Sequence, residues 1–114
     1  MSKRNDLLLL EDIVESCEKI QKYVYNLDYN EFINDDKTID AVIRNFEIIG
    51  EAANNLSQDL FNKYPFIRWS QIIGMRNRLI HGYFGVDYQI IWQVINENIN
   101  DLKEQMKKIL RESK

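Results

Sequence analysis

The stretch Ile91-Trp92-Gln93-Val94-Ile95-Asn96-Glu97-Asn98-Ile99-Asn100-Asp101-Leu102-Lys103-Glu104-Gln105-Met106-Lys107-Lys108-Ile109 decides the fold class. Ile91, Ile95, Ile99, Leu102, Met106 and Ile109 follow one another at spacings of four, four, three, four and three, the period that lines one face of an α-helix. A long helix is therefore expected from about Asp87 onward. Near the other end, Leu10, Ile13, Val14, Cys17, Ile20 and Val24 repeat the pattern and predict a helix from about Asn5 to Asn26. The acid-rich run Asp28 to Asp36 breaks the period and reads as a loop with one short turn near Glu31 to Ile33.

Between these ends the signals are again helical. Asp35 or Asp36 can cap a second helix that carries Val42, Phe46, Ile49, Ala53 and Leu56. Gly50 costs that helix propensity, and its expected return is the close approach of another helix. Pro65 suits the first turn of a third helix with Trp69, Ile72, Ile73, Arg76, Leu79 and Ile80, ended by Gly82. No hairpin-type turn lies between alternating apolar runs, so strands are not expected. The predicted architecture is all-α, an up-and-down bundle of four to five helices forming a single domain over residues 1–114.

At 114 residues the chain can bury roughly two-thirds of its unfolded surface without metals or disulfides. Cys17, the single cysteine, reads as a core residue of a reduced protein, and one His with no Cys pair leaves no zinc-ligand set. Neither a metal nor a cofactor is expected. Leu7 to Leu10 is far too short for a membrane span and lacks a signal-peptide cleavage pattern, so a cytoplasmic protein is expected. Leu7, Leu8, Leu9, Tyr88, Trp92 and Val94 are apolar groups outside the main stripes; they point to a homodimer, or to a broader packing face within one chain.

The net charge of -3 argues against indiscriminate binding of polyanions, but the charges are unevenly placed. Asp28, Glu31, Asp35, Asp36 and Asp40 crowd one stretch, relieved only by Lys37. Between Leu60 and Val86 there is no acid at all, while Lys63, Arg68, Arg76 and Arg78 are basic and His81, the only histidine, stands among them. That segment is suited to a phosphate backbone, which makes Lys63, Arg68 and Arg78 candidate RNA contacts. Histidine alone titrates near neutrality without perturbation, and an arginine fork can hold two phosphoryl oxygens. Together they suit metal-free RNA cleavage, His81 taking the ribose 2′-hydroxyl proton and Arg76 neutralising charge on phosphorus-bound oxygens. On a regular helix at about 100° per residue, Tyr83 shares the face of Arg76 while His81 lies about 140° away, unless Gly82 turns the chain. The same residues also fit structural roles: a helix-end cap for His81, a contact between helices for Asn77 and an aromatic plug for Tyr83.

The run Arg76-Asn77-Arg78-Leu79-Ile80-His81-Gly82-Tyr83, followed by Phe84-Gly85-Val86-Asp87, resembles the signature of the HepT-like branch of HEPN domains. Asp40 to Ala52 resembles that family's second-helix segment, and Trp69 to Met75 the approach to its site, so the likeness covers roughly residues 6 to 110. The resemblance implies an all-helical homodimer with an RNA-cleaving groove, acting on tRNA or mRNA as the toxin of a type VII-like toxin-antitoxin system. It makes Arg76 and His81 the catalytic pair, Asn77 their polar support, and Tyr83 the residue to which a small nucleotidyltransferase antitoxin attaches AMP from ATP. Arg78 falls at a variable position of the motif, so its RNA contact rests on charge. The alternative is a non-catalytic module that presents a nucleotide or substrate to such a nucleotidyltransferase.

Overall fold

The computed structural model describes residues 3–79 and 85–113, and over these the chain is helical with no strand. The first helix, α1 (Lys3–Tyr23), places Leu10, Ile13, Cys17 and Ile20 on one wholly buried face. It stops short of the expected Asn26, which instead takes φ 63°, a left-handed conformation that Asn tolerates in a turn. The stretch read as a loop holds a full short helix, α2 (Tyr29–Ile33). Its cause is a reciprocal cap: Asp28 accepts the Glu31 N–H at 2.8 Å, and Glu31 accepts the Asp28 N–H at 3.0 Å.

Asp35 caps α3 (Asp36–Asn54), accepting from the Thr38 N–H at 3.1 Å and the Thr38 hydroxyl at 2.8 Å. Those bonds favour the ionised form and hold the Asp35 carboxyl below its ordinary pKa. Val42, Phe46, Ile49 and Ala53 form the buried stripe of α3. Next, α4 (Gln58–Lys63) is capped by Ser57, whose N–H and hydroxyl both donate to the buried Asp6 carboxylate of α1. One acid thereby fastens the start of α1 to the start of α4.

The third long helix is two short ones, α5 (Trp69–Ile73) and α6 (Met75–Leu79), divided at Gly74. Pro65 does not open it. Residues 64–67 turn instead: the Ile67 N–H reaches the Tyr64 carbonyl at 3.2 Å, and the buried Trp69 indole N–H donates to that same carbonyl at 3.0 Å. Satisfying the indole in the core outweighs the preference of proline for a first helical turn. The final helix is likewise divided, into α7 (Tyr88–Glu97) and α8 (Ile99–Glu112), yet Asn98 N–H still bonds Val94 and Leu102 N–H still bonds Asn98. The interruption is local, so Ile91, Ile95, Ile99, Leu102, Met106 and Ile109 remain one buried stripe.

In the resulting all-α bundle α1 lies against α3 and α8, α3 carries α5 and α6, and α7 joins α8 to α6. Val94 belongs to the core, and Trp92 packs against Phe32 and Tyr29 with ring centroids 5.1 and 6.2 Å away. Val94 therefore serves the broader packing face, Trp92 packs against the core while staying partly exposed, and Leu8 and Tyr88 remain exposed. Cys17 is fully buried, and burial pushes its thiol up to about 12. No helix among the described residues is long and apolar enough to cross a membrane.

Candidate functional site

Helix α6 is pinned by Met75 and Leu79, which are buried, and this leaves Arg76, Asn77 and Arg78 exposed. Arg76 and Asn77 open onto a cleft of about 400 Å³ between α6 and α3, whose other walls are Glu47, Gly50, Glu51, Asn54 and Ile73. The cleft depends on Gly50. A Cβ there would stand 3.1 Å from the Ile73 carbonyl oxygen, so the absent side chain lets α5 end against α3 and fixes where α6 begins. The close approach expected of Gly50 is thus made, and its consequence is the position of Arg76.

The chain leaves α6 and returns to α7 at nearly one point, because the Asp87 N–H donates to the Leu79 carbonyl at 3.0 Å. Gly85 takes φ +81°, a left-handed turn that a Cβ would strain, and the Asp87 carboxylate accepts the Ile90 N–H to cap α7. His81 and Tyr83, along with Gly82, which was expected to end the third helix, lie outside the described residues.

The basic residues divide between two sides of α6. Arg78 stands two positions from Arg76, about 200° around a helix, and faces a second cavity of about 230 Å³ that it shares with Arg68, Phe66 and Asn98. Lys63 borders neither cavity; its ammonium sits 5.8 Å from the centre of the Tyr64 ring. Among the described residues, neither the Arg76 nor the Arg78 side chain makes a hydrogen bond or ion pair, so both guanidiniums are available to an anion.

Two acidic residues of the cleft, and Asn54 beside them, escaped the sequence reading. Glu47 and Glu51 stand one turn apart on α3, and their four-residue spacing already put them on one face. Which helix that face would meet was not written in the spacing. Their charges attract the Arg76 guanidinium and oppose a phosphodiester, so on the described residues alone the cleft is not electropositive. A phosphate held there needs further cationic or hydrogen-bond donors beside Arg76.

Comparison with known proteins places this geometry in context. The family model described as ribonuclease HepT-like matches residues 13–109. A protein of Methanocaldococcus jannaschii named provisionally as an RNase is 42% identical over 106 residues, which cover 93% of this chain and 97% of that protein. A Thermococcus cleftensis protein named provisionally as ribonuclease HepT is 41% identical over 107 residues, covering 94% of this chain and 97% of its own length. Another provisionally named RNase, from Caldanaerobacter subterraneus subsp. tengcongensis, is 41% identical over 105 residues, 92% of this chain and 94% of that one. No solved structure matches the chain.

Proposed function

The chain belongs to the HepT-like ribonuclease family, a ribonuclease by that membership, and from this we propose that it is a metal-independent endoribonuclease toxin cutting RNA through Arg76 and His81. The observation that carries the reading is the exposure of Arg76 and Asn77 together in one cleft, five and four residues before His81 in a chain matched by the family over residues 13–109. His81 takes the proton of a ribose 2′-hydroxyl, and the freed oxygen attacks the adjacent phosphorus. The bond to the 5′-oxygen breaks, that oxygen receives a proton, and a 2′,3′-cyclic phosphate remains. Arg76 stabilises the charge that gathers on the non-bridging oxygens, while Asn77 orients the pair. Lys63, Arg68 and Arg78 contact the RNA beyond the scissile bond.

Control of this activity is covalent. A small nucleotidyltransferase antitoxin presents ATP, the Tyr83 phenol oxygen attacks the α-phosphorus, and pyrophosphate leaves. The added AMP brings bulk and negative charge two residues from the base, which blocks RNA and repels its phosphates. The active form is a homodimer of single-domain chains, resident in the cytoplasm, with tRNA or mRNA as its target.

Purified, unmodified protein should cut tRNA or single-stranded RNA in the presence of EDTA. Arg76→Ala should lower cleavage by about 10² to 10³ fold and His81→Ala should abolish it, with helical circular dichroism retained. A 3′-hydroxyl on the product would overturn the 2′-hydroxyl attack. Mass spectrometry after incubation with the nucleotidyltransferase and ATP should find AMP on Tyr83, and an unmodified Tyr83 would remove the off-switch.

A further inference from the structure

The cavity on the far side of α6 from Arg76 combines features that the cleavage site does not use. Phe66 is 70% exposed at its rim, so most of its ring is open to a ligand. The ring is held in place from behind. Tyr64 stands edge-on to it with centroids 6.2 Å apart, the Tyr64 hydroxyl donates to Glu112 at 2.9 Å, and the Tyr64 carbonyl accepts the Trp69 indole N–H at 3.0 Å. Beside this fixed ring are Arg68 and Arg78, neither of which bonds or pairs with another side chain among the described residues. Lys63, over the Tyr64 ring, borders neither cavity.

We propose that this cavity is a nucleotide subsite, in which a base of single-stranded RNA stacks on Phe66 and its flanking phosphates rest on Arg68 and Arg78. Aromatic faces interleaved with cations are the surface on which unpaired bases bind, because stacking accepts any base while the cations track the backbone. Charge selects RNA over an apolar partner here: the segment from Leu60 to Val86 contains no acid, and Asp101 is the single carboxylate on the cavity wall. The side-chain amides of Gln71, Asn98 and Gln105 line the same wall and can meet the base edge. A duplex offers no free base face, so the subsite selects an unpaired strand that crosses α6 between the cut bond and Phe66. The inference deepens the ribonuclease reading and rests on it for the identity of the polyanion.

The test measures anisotropy of a short fluorescein-labelled single-stranded RNA with the full-length His81→Ala protein, which holds the RNA uncut. Adding Phe66→Ala should weaken binding about tenfold or more, whereas Phe66→Trp should preserve or tighten it. Adding Arg68→Ala with Arg78→Ala should flatten the slope of log affinity against log salt by about 1.4. The same RNA annealed into a blunt duplex should show no dependence on Phe66. Unchanged affinity in Phe66→Ala, or no binding at all by the His81→Ala protein, overturns the subsite. Wild-type cleavage that needs Arg76 and His81 would still leave the proposed function standing. Conversely, Phe66-dependent binding by a protein that never cuts RNA would keep the subsite and remove the enzyme.

Discussion

In the proposed mechanism Arg76 acts through the shape of its side chain as much as through its charge. A guanidinium offers two parallel N–H donors to two phosphoryl oxygens, and lysine offers a rotating point charge. Arg76→Lys should therefore keep most RNA affinity while single-turnover cleavage at saturating RNA falls by about tenfold or more. Full activity in the lysine variant would show that charge alone is required. The spacing of Arg76 from His81 marked it as a candidate in the sequence, and the 200° between Arg76 and Arg78 was implicit in their two-residue separation. Glu47 and Glu51 were not legible as site residues, because their partner helix is met only once α3 and α6 are packed. Phe66 was hidden for a related reason. Its exposure follows from a turn at Pro65 that local helix signals argued against, and that turn is set by the Trp69 indole reaching back to Tyr64.

At the scale of elements, the site is placed by one missing side chain. Gly50 sits inside α3, where alanine is favoured by about 1 kcal/mol of helix propensity, yet the added methyl would meet the backbone oxygen of Ile73 at 3.1 Å. Overpacking of this kind costs about 1 to 3 kcal/mol, so the two effects largely offset and the stability of Gly50→Ala should fall by no more than about 2 kcal/mol. Activity is the more sensitive readout. Relieving the contact moves α5, and α6 carries Arg76 with it; a displacement of about 1 Å can cost 10²-fold in rate, so cleavage by the folded variant should drop at least tenfold. Urea denaturation and a cleavage assay on the same preparation separate the two, and a variant that is destabilised but fully active would refute the positioning role. The sequence exposed the need for a close approach at Gly50. It did not expose the divisions at Gly74 and Asn98, since the apolar stripes run through both without losing register.

For the whole molecule, the apolar period of four segments was enough to specify an all-α bundle and to assign Cys17 to its interior. A dimer surface was not legible in the same way, because of the apolar residues off the main stripe Val94 is buried by the chain itself and Trp92 partly so. The burial of Cys17 has a global consequence at alkaline pH. In the unfolded chain its thiol ionises near the ordinary value of 9.0, whereas burial in the folded protein pushes that value up to about 12. Below pH 9 both states hold the proton and the residue adds no pH dependence. Between about pH 9 and 12 the unfolded state sheds the proton that the folded state keeps, so stability falls as pH rises, by up to about 1.4 kcal/mol per pH unit. Tyr64 reinforces the trend, its phenol raised first by burial and then by the hydrogen bond to Glu112. Urea melts across this range should show a steep alkaline loss in the wild type. Cys17→Ala will start from a lower stability because it leaves a small void, but its curve should run flatter from pH 9 upward. Parallel curves for the two proteins would mean that the thiol ionises as easily folded as unfolded. The same burial should leave Cys17 unreactive toward thiol reagents until the bundle opens, which gives an independent reading of the same packing.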